Sequence, residues 1–108
     1  MIEIKAGPEL DQAIAAVAFN TYYDRRRVDD CPRYSTDLNA AFSAAEAVGL
    51  FSETFWRTLG MDEFGETWGV FEQDGHIKRA ITSEHHATPA LALCEAILWL
   101  KGEGKSDV

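Results

Sequence analysis

Two β-like runs, TWGVFEQ at residues 67–73 and HIKRAIT at 76–82, are separated only by Asp74 and Gly75. An Asp-Gly pair between such runs marks a tight reversal, because glycine reaches the positive φ that hairpin turns require without a Cβ clash. A hairpin fixes one antiparallel pair in the chain, and everything else must cover it. Trp68 and Val70 share a face, whereas Ile77 and Ala80 do not share parity, which leaves room for a bulge near Lys78 and Arg79. The loop holds two residues or more, so the register stays open. SETFWRTL, residues 52–59, carries Phe55 and Leu59 on one parity and Trp56 on the other, and completes a meander of three antiparallel strands.

Helical periodicity flanks these runs. In ELDQAIAAVAFNTYY, Leu10, Ile14, Val17 and Ala18 recur every three to four residues and Tyr22 continues that face, which predicts a helix over residues 9 to 21. Pro8 suits its first turn, where a missing N–H is tolerated. The alternating MIEIK before it reads as an edge strand or an ordered tail. DRRRVDDCPR, residues 24–33, is a solvated connection with room for a short helical turn.

A second helix is predicted over residues 36 to 48, with Leu38, Ala41, Phe42, Ala45 and Val48 on its apolar face and Gly49 ending it. Ser35 or Thr36 is the expected cap, with Asp37 in the first turn near the positive end of the dipole. The last helix opens on Thr88-Pro89 and runs to Gly102, with Ala90, Leu91, Cys94, Ile97 and Leu98 on a broad apolar face. GEGKSDV reads as a frayed tail. The expected class is α+β: a small antiparallel three-stranded sheet packed with helices.

At 108 residues the chain suits one domain with a radius of gyration of roughly 13 Å, so a groove on it must be shallow or shared with a partner. Eighteen acidic residues against ten basic ones give a formal charge of −8. That balance argues against binding nucleic acid directly or adhering to an anionic membrane, both of which use Lys and Arg, and it suits a basic protein surface. Cys31 and Cys94 are too few for a disulfide scaffold, and no secretory h-region or long apolar stretch occurs, so a cytoplasmic location is expected.

Candidate chemistry is thin. Glu84, His85 and His86 are of ligand type, with Cys31 or Cys94 available across the fold, but adjacent histidines lack the one-turn spacing that presents two ligands to one ion. Neither a metal nor a cofactor is expected. Cys94 lies on an apolar stripe and reads as a buried structural thiol, while Cys31, beside Pro32 in a polar connection, reads as the exposed one. Arg25, Arg26 and Arg27 stand among Asp24, Asp29 and Asp30 and read as surface ion pairs or an anion contact in a complex.

The acid-rich segment from Glu53 to Asp74 is the expected partner-binding surface: Glu53, Asp62, Glu63, Glu66, Glu72 and Asp74 around Phe64, with Trp56 and Trp68 as core or interface. Aromatic anchors ringed by carboxylates suit a basic protein groove.

The stretches PRYSTDLNAAFSAAEAVG and ATPALALCEAILWLK, with the strand pair around TWGVF between them, resemble the small bacteriophage proteins of the phage ABA sandwich family over residues 9 to 102. Pro32, Tyr34, Ser35, Thr36, Asp37, Ala40 and Ala41 fall on its first motif, and Ala90, Leu93, Cys94 and Ala96 on its closing one. The resemblance implies an alpha-beta-alpha layered domain from a phage or prophage, acting in the bacterial host, with no catalytic residue to carry over. The function expected is a non-enzymatic, acidic, anti-CRISPR-like factor that binds a host or phage protein with a basic nucleic-acid-binding surface. The alternatives are a small enzyme or metal protein using His85, His86 and a cysteine, and a phage protein of purely structural role; the oligomeric state is left open, a homodimer included.

Overall fold

The computed structural model describes residues 4–24, 26–51, 57–61, 65, 67–74, 77–82 and 86–101. Helix α1, Pro8–Phe19, begins with proline at its first position, as its sequence requires. It ends two residues before the predicted residue 21, because Asn20 enters the left-handed region (φ 52°) and its N–H and that of Thr21 close on Ala16 and Ala15. Tyr22 is thereby left off the helix and 74% exposed.

After a short 3-10 turn at Val28–Asp30 comes α2, Leu38–Val48. Its cap is Asp37, not Ser35 or Thr36: Asp37 is extended, and its Oδ1 accepts the N–H groups of Asn39 (3.0 Å) and Ala40 (3.4 Å). Ser35 does not serve because its hydroxyl is taken by the N–H of Gly7, the residue before α1, while its own N–H donates to Asp11 of α1, so the helix starts two residues later than predicted. Gly49 at φ 75° closes α2: its N–H reaches Glu46 and that of Leu50 reaches Ala45, a left-handed stop that buries Leu50 beneath it. Asp37→Ala is expected to cost about 1 kcal/mol in urea unfolding, with Thr36→Ala near zero; the reverse order would restore Thr36 as the cap.

Strands β1 (Arg57–Met61), β2 (Trp68–Asp74) and β3 (Ile77–Ala80) form an antiparallel meander in the order β1-β2-β3. The part of the first predicted strand before Arg57 lies outside the described residues. Phe71↔Ala80 through Asp74↔Ile77 pair residue for residue, so the turn falls one residue later than expected and no bulge sits at Lys78 or Arg79. None is needed, because Ile81 rather than Ala80 stands opposite Val70, donating its N–H to the Val70 carbonyl at 2.9 Å. Further along, His86 exchanges two backbone hydrogen bonds with Trp68 at the start of β2.

Helix α3, Pro89–Leu100, is capped by the Thr88 hydroxyl, which accepts the Leu91 N–H at 3.3 Å, as its Thr-Pro start predicts. Every residue from Ala92 to Leu98 is buried, on all sides of the helix rather than on one stripe. The contacts explain why: the sheet packs on α3 through β2 and β1, and α1 and α2 pack on α3 and on each other. The sheet face carrying Leu59, Trp68 and Val70, with Ile81, supplies the other side of this core. Among the described elements α3 thus stands between the sheet and the α1–α2 pair, and helices on both sheet faces are not among these contacts. On α2 the buried residues are Ala41, Ala44 and Ala45, which let α3 approach closely; Leu38 and Phe42 lie at the rim, the Phe42 ring 6.1 Å from that of Phe51. The radius of gyration is 13.6 Å, close to the value expected of a compact domain of this length.

Candidate functional site

The segment leading into α2 is where the three helices meet. Tyr34 is buried, its ring stacked on Phe19 at 6.0 Å, and its carbonyl accepts the Cys94 thiol of α3 at 3.3 Å. Next to it, the Ser35 N–H donates to Asp11 Oδ1 at 2.8 Å and the Ser35 hydroxyl accepts the N–H of Gly7 at 3.0 Å. Gly7 has φ 151°, a value that L side chains rarely adopt, so this entry to α1 is glycine's. YSTD is therefore a joint: Tyr34 holds α3, Ser35 holds α1 and Asp37 begins α2.

A cleft of about 320 Å³ opens beside this joint under the first turn of α1, lined by Asp11, Asp29, Cys31, Arg33, Ser35 and Thr36. Asp11 is buried, while Asp29, Arg33 and Thr36 are exposed at the rim. The Asp11 charge is felt by its neutral neighbours: burial first and then this carboxylate push the Cys31 thiol up, and the same two causes push the Cys94 thiol to about 12. Tyr34 is also raised, chiefly by burial, with Tyr23, Cys31 and Asp11 adding to it.

Cys31 is buried rather than exposed, because the connection folds back over α1 and its thiol is directed to the Pro32 carbonyl at 3.5 Å. Both thiols are free and held protonated near neutral pH, which is the opposite of nucleophile activation. In the native protein at pH 8 both are expected to react with a thiol reagent far more slowly than in about 6 M guanidinium, where the two titrate at once; one fast native thiol would place Cys31 at the surface.

Of the acid-rich segment, Glu53, Asp62, Glu63, Phe64 and Glu66, with Trp56, lie outside the described residues. Glu72 is half-buried on β2, in register between Arg57 and Arg79, and Asp74 stands opposite Ile77 where β2 ends. Trp68 is half-buried and packs against the core. Arg25 and His85 also fall outside. Arg26 and Arg27 are exposed, their N–H groups on Asp24 Oδ1 at 3.0 Å, and the Arg27 guanidinium lies 3.6 Å from Asp30, a surface ion pair as expected.

His86 is not a loop residue. It is 5% exposed, and its Nε2 lies 2.7 Å from Oε1 of Glu95, itself 3% exposed on α3. This enclosed pair ties the segment bridged to Trp68 to the central helix. Among the described residues no group of three His, Cys, Asp or Glu side chains is arranged to hold a metal ion.

Asp11 and Glu95 escaped the sequence reading, yet both left a trace. Asp11 lies three residues before Ile14 and next to Leu10, on the buried side of its helix, and Glu95 is the lone charge within ALALCEAILWL. No helix among the described residues is long and apolar enough to cross a membrane. No protein-family model, curated protein or solved structure matches this chain.

Proposed function

We propose that this chain is a non-enzymatic acidic binding factor whose partner is a protein with a basic, nucleic-acid-binding surface. The observation that carries the reading is the charge: a formal −8 over 108 residues, with the carboxylates of Asp11 and Glu95 buried. Glu9, Asp24, Asp29, Asp30, Asp37 and Glu46 are exposed, a surface that attracts a basic protein and repels polyanions. The interior position of Cys94 and of the His86–Glu95 pair favours binding over catalysis, since these groups hold the fold together. A phage or prophage setting and a place in the cytoplasm of a bacterial host belong to the same reading and rest on the resemblance of the YSTD and ALC stretches.

Retention of host proteins on the immobilised chain tests it, at about 0.1 M and about 1 M salt, where the screening length falls from about 10 Å to about 3 Å. A basic protein held at low salt, released at high salt and weakened by neutralising Glu63, Glu66 and Asp74 is expected. Retention indifferent to salt and to those substitutions sinks the reading.

A further inference from the structure

We propose that the cleft beside Asp11 receives a cationic side chain of the partner protein, an arginine guanidinium above all; the inference rests on the reading that the partner is basic. Asp11 is only 7% exposed. Its Oδ1 accepts the Ser35 N–H, and among the described residues it accepts no other hydrogen bond and forms no ion pair. A carboxylate offers about four acceptor sites, and buried charges are ordinarily paired or fully hydrogen-bonded. Here the compensation is one N–H and the partial positive end of α1, in whose first turn Asp11 lies.

The groups whose titration Asp11 raises, Cys31, Cys94 and Tyr34, are neutral, and among the described residues no cation forms an ion pair with it. What does reach Asp11 is the cleft, at about 320 Å³ near the lower end of the roughly 300–1,000 Å³ of ligand pockets. That space suits one extended side chain better than a multi-ring cofactor. Asp29 and the Thr36 hydroxyl add acceptors at the rim, and a guanidinium, with five N–H donors in a planar fork, can use a buried carboxylate and rim acceptors together.

Arg33 lines the same cleft, is exposed and makes no ion pair with either carboxylate. It is a rim cation that disfavours an incoming one, so removing its charge strengthens binding. A second copy of this chain is a poor occupant, since each copy carries −8.

The test is an amide-resolved NMR titration of the full chain at low salt with acetyl-arginine amide, using acetyl-glutamine amide as the neutral control. Saturable shifts centred on Gly7, Asp11, Ser35 and Thr36 are expected with the arginine probe alone. Asp11→Asn keeps an acceptor for the Ser35 N–H but removes the charge, and is expected to weaken binding about tenfold or more, while Arg33→Gln strengthens it about two- to threefold. Equal affinity in Asp11→Asn, or shifts confined to the sheet around Glu72, overturns the cleft while leaving an acidic binding factor in place. If salt-sensitive retention of a basic protein fails as well, both readings fall. Should Asp11→Asn not fold, exposed Arg33→Gln carries the test, and an unchanged or lowered affinity there overturns the inference.

Discussion

Glu95→Ala is expected to lower the unfolding free energy by about 3 kcal/mol or more at neutral pH, because removing one member of a buried pair strands the other. The stranded group is the His86 imidazole, 5% exposed and fixed in place by its backbone bonds to Trp68, so it cannot swing into water without releasing the strand. Against a typical domain stability of about 5–15 kcal/mol, that loss leaves little margin. Replacing both residues with leucine removes both desolvation penalties and is expected to recover most of it, so a urea-derived double-mutant cycle built from His86→Leu, Glu95→Leu and the two together shows a coupling of about 1–3 kcal/mol. A single-mutant cost below about 1 kcal/mol, the worth of an ordinary exposed pair, would mean that His86 and Glu95 do not meet in solution.

Alkali supplies the second large effect. The Cys94 thiol stands at about 12 in the folded protein against an ordinary value of 9.0, burial being the first cause and Asp11 the second. Below pH 9 the thiol is protonated in both states and contributes no slope. Above it the unfolded chain sheds its proton first, so stability falls as pH rises from 9 toward 12, by about 1.4 kcal/mol per unit and about 4 kcal/mol in all. Cys31 and Tyr34, both raised chiefly by burial, add slopes of the same sign. Chemical unfolding between pH 8 and 11 reads the effect directly: Cys94→Ala is expected to be less stable than the parent at pH 8 and to lose stability more slowly above pH 9. Parallel curves for the two proteins would mean that Cys94 titrates as a solvated thiol.

Features decided within one turn of chain were legible in the sequence. Thr88-Pro89 starts α3 and Gly49 stops α2 because both act on backbone groups three or four residues away. The hairpin was legible for the same reason, and only its loop moved by a residue. What was not legible depended on distant partners. Ser35 and Asp37 are equally good caps in isolation; Gly7, 28 residues earlier, takes the Ser35 hydroxyl, and Asp37 is left to cap. Cys31 sits among polar neighbours in sequence and is buried by a fold-back that no local pattern records. Asp11 looks like a favourable first-turn acid, and only the joint reveals it as the enclosed wall of a cleft.

That joint has a consequence for how the chain reaches its structure. Its three fastenings link residues 24, 28 and 60 positions apart, and each must close a long loop before any contact rewards it. The helices can form locally and collapse first, but the Tyr34–Asp37 segment can settle only when both α1 and α3 have arrived. As a latch expected to set last, it gives a kinetic prediction: Ser35→Ala should raise the unfolding rate in stopped-flow urea jumps more than it lowers the folding rate, and the reverse split would place the joint early in assembly.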